Sequence, residues 1–188
     1  MLQITPVLPG YLYSIEQVMP PELLESISKT DWANRSYNRL EIGRGRRRQL
    51  DYQVELDQAV NDYCCTELAR AIELACQIRF TGQSEQSFQY WIDEPGFRPA
   101  MHTDGDLASA VQIYLQADGR LDLGTAFYHS ADPQDLTHTF ASRPNTGYVM
   151  LNQPEPGRPE LWHDMTQAVP AGSFRLCLYL TLGQYQRV

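Results

Sequence analysis

In the stretch FRPAMHTDGD, residues 97 to 106, His102 and Asp104 stand two apart beside a glycine. Extended backbone alternates its faces, so these side chains share one face with Cα atoms roughly 6.5 Å apart. Both can therefore reach one small object. A second imidazole comes from His163, in the later stretch ELWHDM. Two histidines and one carboxylate on one side of a metal leave its other positions open, which suits non-haem Fe(II) and oxygen chemistry. Zinc accepts the same set in hydrolytic sites, so ligand type alone does not name the metal.

Arg175 follows on a later apolar run, FRLCLYLTL, flanked by Phe174 and Leu176. A guanidinium in such company needs an anion, because a buried charge without a partner is costly. Its planar fork matches a carboxylate through two parallel hydrogen bonds. An acidic small molecule deep in a cavity is one such anion; an internal Asp or Glu is the other. A rival cluster of His129, His138 and Asp132 lacks a following basic residue on a buried strand, and reads as surface or structural.

These groups need rigid elements behind them. After Phe80 the sequence breaks into short β-rich runs, SFQYWI, ASAVQIYLQ, GTAFYHS, NTGYVMLN, ELWHDM and FRLCLYLTL, separated by Gly, Pro, Asp and Asn. That series predicts an antiparallel sandwich or barrel behind a helical N-terminal third. In ASAVQIYLQ, Val111, Ile113 and Leu115 share one face and Gln112 and Tyr114 the other; in FRLCLYLTL, Leu176, Leu178 and Leu180 oppose Arg175, Cys177 and Tyr179. The mixed faces either meet solvent or line a hydrated cavity with the oily faces under helices, and the metal-type residues favour the cavity. Gln89, Trp91 and Gln112 are candidates for its wall, and Trp162, next to His163, is expected to pack in the core.

Before residue 80, MPPELLESISKTDW reads as a short helix with Pro in its first turn. Leu56 to Ile78 reads as the longest helix, with apolar positions at threes and fours; its adjacent Cys64 and Cys65 read as core fillers. EIGRGRRRQLDY gathers Arg44, Arg46, Arg47 and Arg48 around two glycines, giving a mobile basic loop or hairpin, either solvated or a lid for an anionic substrate.

Composition sets the outer bounds. The 188 residues, 43% hydrophobic, fit one domain with a sizeable core. A net charge of −8 and a pI near 4.9 speak against nucleic acid and anionic membrane as partners. The four cysteines include no CxxC pair and suit a reducing cytoplasm. MLQITPVLPGYLYSIEQ lacks the pattern of an export signal, and no apolar run approaches a membrane span.

Taken together, PGFRPAMHTD, AVQIYLQ, GTAFYH, NTGYVMLN and WHDMTQAVPAGSFRLCLYL resemble the Fe(II)/2-oxoglutarate-dependent oxygenases, most closely their prolyl-4-hydroxylase-like branch, over about residues 88 to 182. The resemblance implies a mainly β fold with α: a double-stranded β-helix (jelly roll) core at 81–188, buttressed by a helical support and lid region at 1–80, in a single domain. It implies His102, Asp104 and His163 as iron ligands, Arg175 on the far carboxylate of 2-oxoglutarate, and Tyr114 assisting there. It further implies O₂ and a small-molecule or peptidyl substrate, hydroxylated as 2-oxoglutarate is converted to succinate and CO₂. Two departures from the pattern stand out: Cys177 stands where many members carry a hydroxyl, and Ile92 and Asp93 stand where a tyrosine precedes the Pro-Gly turn. A cupin-like isomerase or hydrolase without 2-oxoglutarate, and a non-catalytic jelly-roll binding module, are the alternatives.

Overall fold

The computed structural model describes residues 1–188 apart from 44, 82–86, 106, 117–119, 154–156 and 158–159. Its centre is an eight-stranded antiparallel sheet. The strands in chain order are β1 (Gln3–Leu8), β2 (Leu12–Glu16), β3 (Tyr37–Gly43), β4 (Gly45–Leu50), β5 (Ile78–Phe80), β6 (Ser87–Asp93), β7 (Ser109–Gln116), β8 (Thr125–Tyr128), β9 (Leu136–Phe140), β10 (Thr146–Leu151), β11 (Trp162–Met165), β12 (Arg175–Thr181) and β13 (Tyr185–Arg187). The large sheet runs β1-β2-β10-β7-β12-β6-β4-β3, a small sheet runs β11-β8-β9, and β13 pairs with β5. This is the expected double-stranded β-helix.

Strand parity decides what each face meets. Val111, Ile113, Leu176, Leu178 and Leu180 join Val60, Leu68 and Ile72 of the helices in one core. Tyr114, Tyr148 and Cys177, on the opposite face, join Phe127 and Phe140 of the small sheet in a second. The mixed faces therefore point between the sheets, as the cavity alternative requires.

The helices follow their apolar stripes. α1 (Pro21–Lys29) opens on a proline whose missing N–H costs nothing in the first turn, carries Glu22 early and Lys29 late, and buries Ile27. The long helical segment runs as α2 (Val54–Tyr63), a π-helical turn at Cys64–Leu68, and α3 (Ala69–Cys76), which ends on Gln77 in the left-handed region. Its buried stripe is Val60, Cys64, Leu68, Ile72 and Cys76, spaced by four. In a regular α-helix that spacing drifts about 40° around the axis at each step. The wider π turn takes up the drift and keeps the stripe on the sheet.

The first eighty residues are less helical than the sequence implies. β1 and β2 build one edge of the large sheet and β3 and β4 the other, so the sheet crosses the expected division at residue 80. The arginine-rich stretch, of which Arg44 lies outside the described residues, takes the hairpin form of the two expected and is seated on β6. Its three described arginines on β4 have acidic partners: Arg47 on Asp93, and Arg46 and Arg48 on Glu94. Gly45 fixes the hairpin at φ +89°, so close to the next segment that a Cβ there would lie 2.1 Å from the Phe97 amide nitrogen.

Candidate metal centre

His102 lies just beyond the small sheet and adds one rung to it. Its N–H donates to the His163 carbonyl at 3.0 Å, and the His163 N–H returns the bond to the His102 carbonyl at 2.8 Å. This main-chain exchange brings the two imidazoles to a centroid separation of 4.4 Å. A turn follows at once, with Gly105 at φ +58° and the Leu107 N–H donating to the Asp104 carbonyl at 3.2 Å. The turn swings the Asp104 carboxylate back between the rings, and its Oδ1 sits 3.7 Å from His102 Nε2 and 3.5 Å from His163 Nε2. One ligand atom from each of the three residues lies within 4.8 Å of the others, and no other such group of metal-type ligands occurs among the described residues.

The ring orientation is set from behind. His102 Nδ1 faces the Ala100 carbonyl at 2.7 Å, and His163 Nδ1 faces the Leu161 carbonyl at 3.1 Å. A carbonyl can only accept, so each Nδ1 carries the proton and each Nε2 offers its lone pair toward Asp104. Burial, helped by the neighbouring His163 ring, pushes the His102 pKa down and favours the neutral imidazole that a metal needs. Burial alone would raise Asp104, but His163, the Tyr179 hydroxyl and His102 together outweigh it, and its pKa falls. Tyr179 donates to Asp104 Oδ2 at 2.9 Å. Phe127 stacks on His163 at 5.2 Å, and Arg98 forks onto Asp164, the residue after it.

The three side chains open onto a cavity of about 550 Å³, within the range of small-molecule sites. Gln89, Trp91 and Gln112 line it, as does Arg175. Arg175 is buried, with Nε 2.8 Å from Asp93 Oδ2 and Nη1 2.9 Å from the Leu123 carbonyl. Its second terminal nitrogen also reaches Asp93 Oδ2, at 2.6 Å. Of its five N–H groups these contacts use three, leaving one on each terminal nitrogen. Tyr114 is wholly buried beneath the cavity rather than in its wall; its hydroxyl donates to Thr125 Oγ1 at 2.8 Å, and Thr125 lines the cavity. Thr125 keeps its own proton for a further acceptor.

Trp162 is half-buried and donates to Glu160 rather than packing in the core, because β11 is the outermost named strand of a narrow sheet. His138 packs on Phe140 and joins no ligand group. Arg47, named in the sequence only as part of the basic stretch, lines the wall as well, and among the wall residues not singled out in the sequence are Arg98, Thr125, Tyr148 and Asp164, with Asp93 behind them. A signal for Asp93 existed: it shares strand parity with Gln89 and Trp91.

No family model matches the sequence, and no curated protein matches it. Solved structures do share the fold. A Pseudomonas putida prolyl-4-hydroxylase superposes with a TM-score of 0.61 at 17% identity, covering 95% of this chain and 93% of that one. SnoN, a non-haem α-ketoglutarate-dependent epimerase from nogalamycin biosynthesis, gives 0.56 at 12% identity, covering 94% and 78%. A bsmA homologue from Methylobium petroleophilum gives 0.58 at 14% identity, covering 91% and 84%.

Proposed function

We propose that this chain is an Fe(II)- and 2-oxoglutarate-dependent dioxygenase. On this reading it hydroxylates an unactivated C–H bond of a small metabolite, amino acid or peptidyl residue while 2-oxoglutarate is converted to succinate and CO₂. One observation carries the reading: a His-Asp-His set with its nitrogen lone pairs turned inward opens onto the same cavity as a buried arginine with free donors. The donor set fits ferrous iron, with two neutral nitrogens, one carboxylate and an open side. Fold likeness to a prolyl-4-hydroxylase and to an α-ketoglutarate-dependent epimerase supports it.

Iron, when bound, supplies the redox chemistry with O₂ and the 2-oxo acid. The protein's own part is positioning. His102 and His163 present Nε2, Asp104 presents Oδ1, and Tyr179 keeps the carboxylate from turning away. Arg175, with Thr125 steadied by Tyr114, receives the far carboxylate of 2-oxoglutarate. Trp91, Phe97 and Met165 give the cavity an apolar lining that limits water. A cytoplasmic setting belongs to the same reading, supported by four free cysteines; no helix among the described residues is long and apolar enough to cross a membrane.

The test is succinate release in air with Fe(II) and 2-oxoglutarate, with and without a panel of small-molecule and peptide substrates. Turnover, coupled or uncoupled, is expected, and its complete absence overturns the proposal. Incorporation of label from ¹⁸O₂ into the product separates hydroxylation from the epimerase outcome that SnoN represents.

A further inference from the structure

The expected carboxylate site has a charge problem. Arg175 does not face the cavity as a free cation: Asp93, fully buried, already neutralises it through two nitrogens. A neutral pair attracts a second carboxylate weakly, and moving an anion beside Asp93 would add like-charge repulsion. Nor do the flanking positions help, since Cys177 offers only a thiol and the Tyr114 hydroxyl is spent on Thr125.

The missing charge comes from the hairpin. Across the register of the large sheet, Arg47 on β4, Asp93 on β6 and Arg175 on β12 are direct neighbours in one row. Arg47 Nε sits 2.8 Å from Asp93 Oδ1, while Arg175 holds Oδ2. Both guanidiniums line the cavity. The row continues to Glu41 on β3, opposite Arg47 and also on the cavity wall, and Arg39 holds Glu41 at 2.8 Å. With Glu41 paired in this way, Arg47, Asp93 and Arg175 leave one positive charge in excess, equal and opposite to one carboxylate. The Arg47 guanidinium also packs on two rings, 4.4 Å from the Trp91 centroid and 5.2 Å from that of Phe97. Packing of this kind reduces the conformational freedom a charge has to lose when an anion arrives.

We propose that Arg47 is the second guanidinium of the dicarboxylate site, and that Asp93 is a bridge that holds it beside Arg175. The inference rests on the oxygenase reading and goes further in assigning specificity for a dicarboxylate over a monocarboxylate 2-oxo acid to a residue of the N-terminal hairpin. Asp93 is on this account a positioning residue: it touches both arginines and not the ligand.

The experiment is calorimetric binding to the full-length protein loaded with Mn(II), so that no turnover intervenes. Two probes are compared, 2-oxoglutarate and 2-oxopentanoate, which carries a methyl in place of the far carboxylate. Loss of a charge-assisted hydrogen bond is expected to weaken 2-oxoglutarate roughly 10- to 100-fold in Arg47→Met. Binding of 2-oxopentanoate should stay at the wild-type level. Equal weakening of both probes would mean that Arg47 only shapes the pocket, and no weakening of either would place it outside the site; each result overturns the inference. If Arg175→Met loses the preference for 2-oxoglutarate while Arg47→Met keeps it, the oxygenase reading survives and this inference falls. If the wild-type protein binds neither probe, the oxygenase reading itself has failed. Should Arg47→Met not fold, Arg47→Lys keeps a charge opposite Asp93 but removes the fork, and the same comparison of probes decides.

Discussion

Tyr179 donates its hydroxyl to Asp104 Oδ2, leaving Oδ1 to face the two histidine nitrogens. One carboxylate is thus divided between a structural bond and a ligand position. Outer partners of this kind fix a ligand's orientation and set metal affinity. Tyr179→Phe removes the bond while keeping the ring, and metal affinity should fall about tenfold. Titration of the protein with Fe(II) under anaerobic conditions, or with Mn(II), measures it; an unchanged affinity would make the contact incidental.

Asp104→Ala leaves two neutral imidazoles, which cannot balance a dication. Metal should then be lost. In the wild-type protein, a metal at a hundredfold excess over its Kd should stabilise the fold by about 2.7 kcal/mol, and chelation should reverse the gain. Asp104→Ala is expected to show neither change in a thermal melt. A metal-dependent Tm in that variant would show that ions bind elsewhere.

The hairpin that carries Arg47 depends on Gly45. At φ +89°, with a Cβ forced to about 2.1 Å from the Phe97 nitrogen and 2.2 Å from the Gly96 carbonyl carbon, alanine meets both strain and backbone collision. Gly45→Ala should cost about 2 kcal/mol or more in urea unfolding. It should also weaken 2-oxo acid binding, because β4 forms that wall. Wild-type stability would mean the hairpin shifts freely on the Gly96–Phe97 segment.

A second buried ion pair lies on the helical side of the sheet, between Arg35 and Asp57, where Trp32 and Tyr90 flank the guanidinium. Asp57 also receives the Gln53 N–H at the start of α2. Asp57→Ala leaves a buried cation without its partner and should cost roughly 3–5 kcal/mol. Replacing both residues together, as Arg35→Met with Asp57→Leu, should cost much less, since no charge is then stranded. Denaturant melts of the single and double variants distinguish these outcomes; equal losses would contradict the stranded-charge account.

What the sequence disclosed and what it hid have one physical cause. Alternation puts Arg175, Cys177 and Tyr179 on one face of β12 wherever that strand lies, so that face is readable without a fold. The same rule selects His102 and Asp104, although in the structure they flank a turn rather than lie on a strand. Phe127, Thr125 and Asp93 matter because of which strand lies opposite, and register is a property of the whole sheet. Where the hairpin of β3 and β4 sits was hidden for a related reason. Arg46, Arg47 and Arg48 look solvated in isolation, and only the acidic end of β6 shows that they are paired. β9 was missed as well, because LTHTF is short and mostly unburied. The π turn between α2 and α3 was foreshadowed by the spacing of its apolar residues, although the helix was read as regular.

On the proposed reading, the reciprocal main-chain bonds between His102 and His163 would make a bound metal a clasp as well as a reagent. An ion held by both rings fastens the same two chain segments that this isolated rung already joins. Deuterium uptake at those two amides should therefore slow on loading, in proportion to site occupancy, while the strands of the large sheet exchange at unaltered rates. The catalytic ion would then double as the rivet at the open margin of the small sheet.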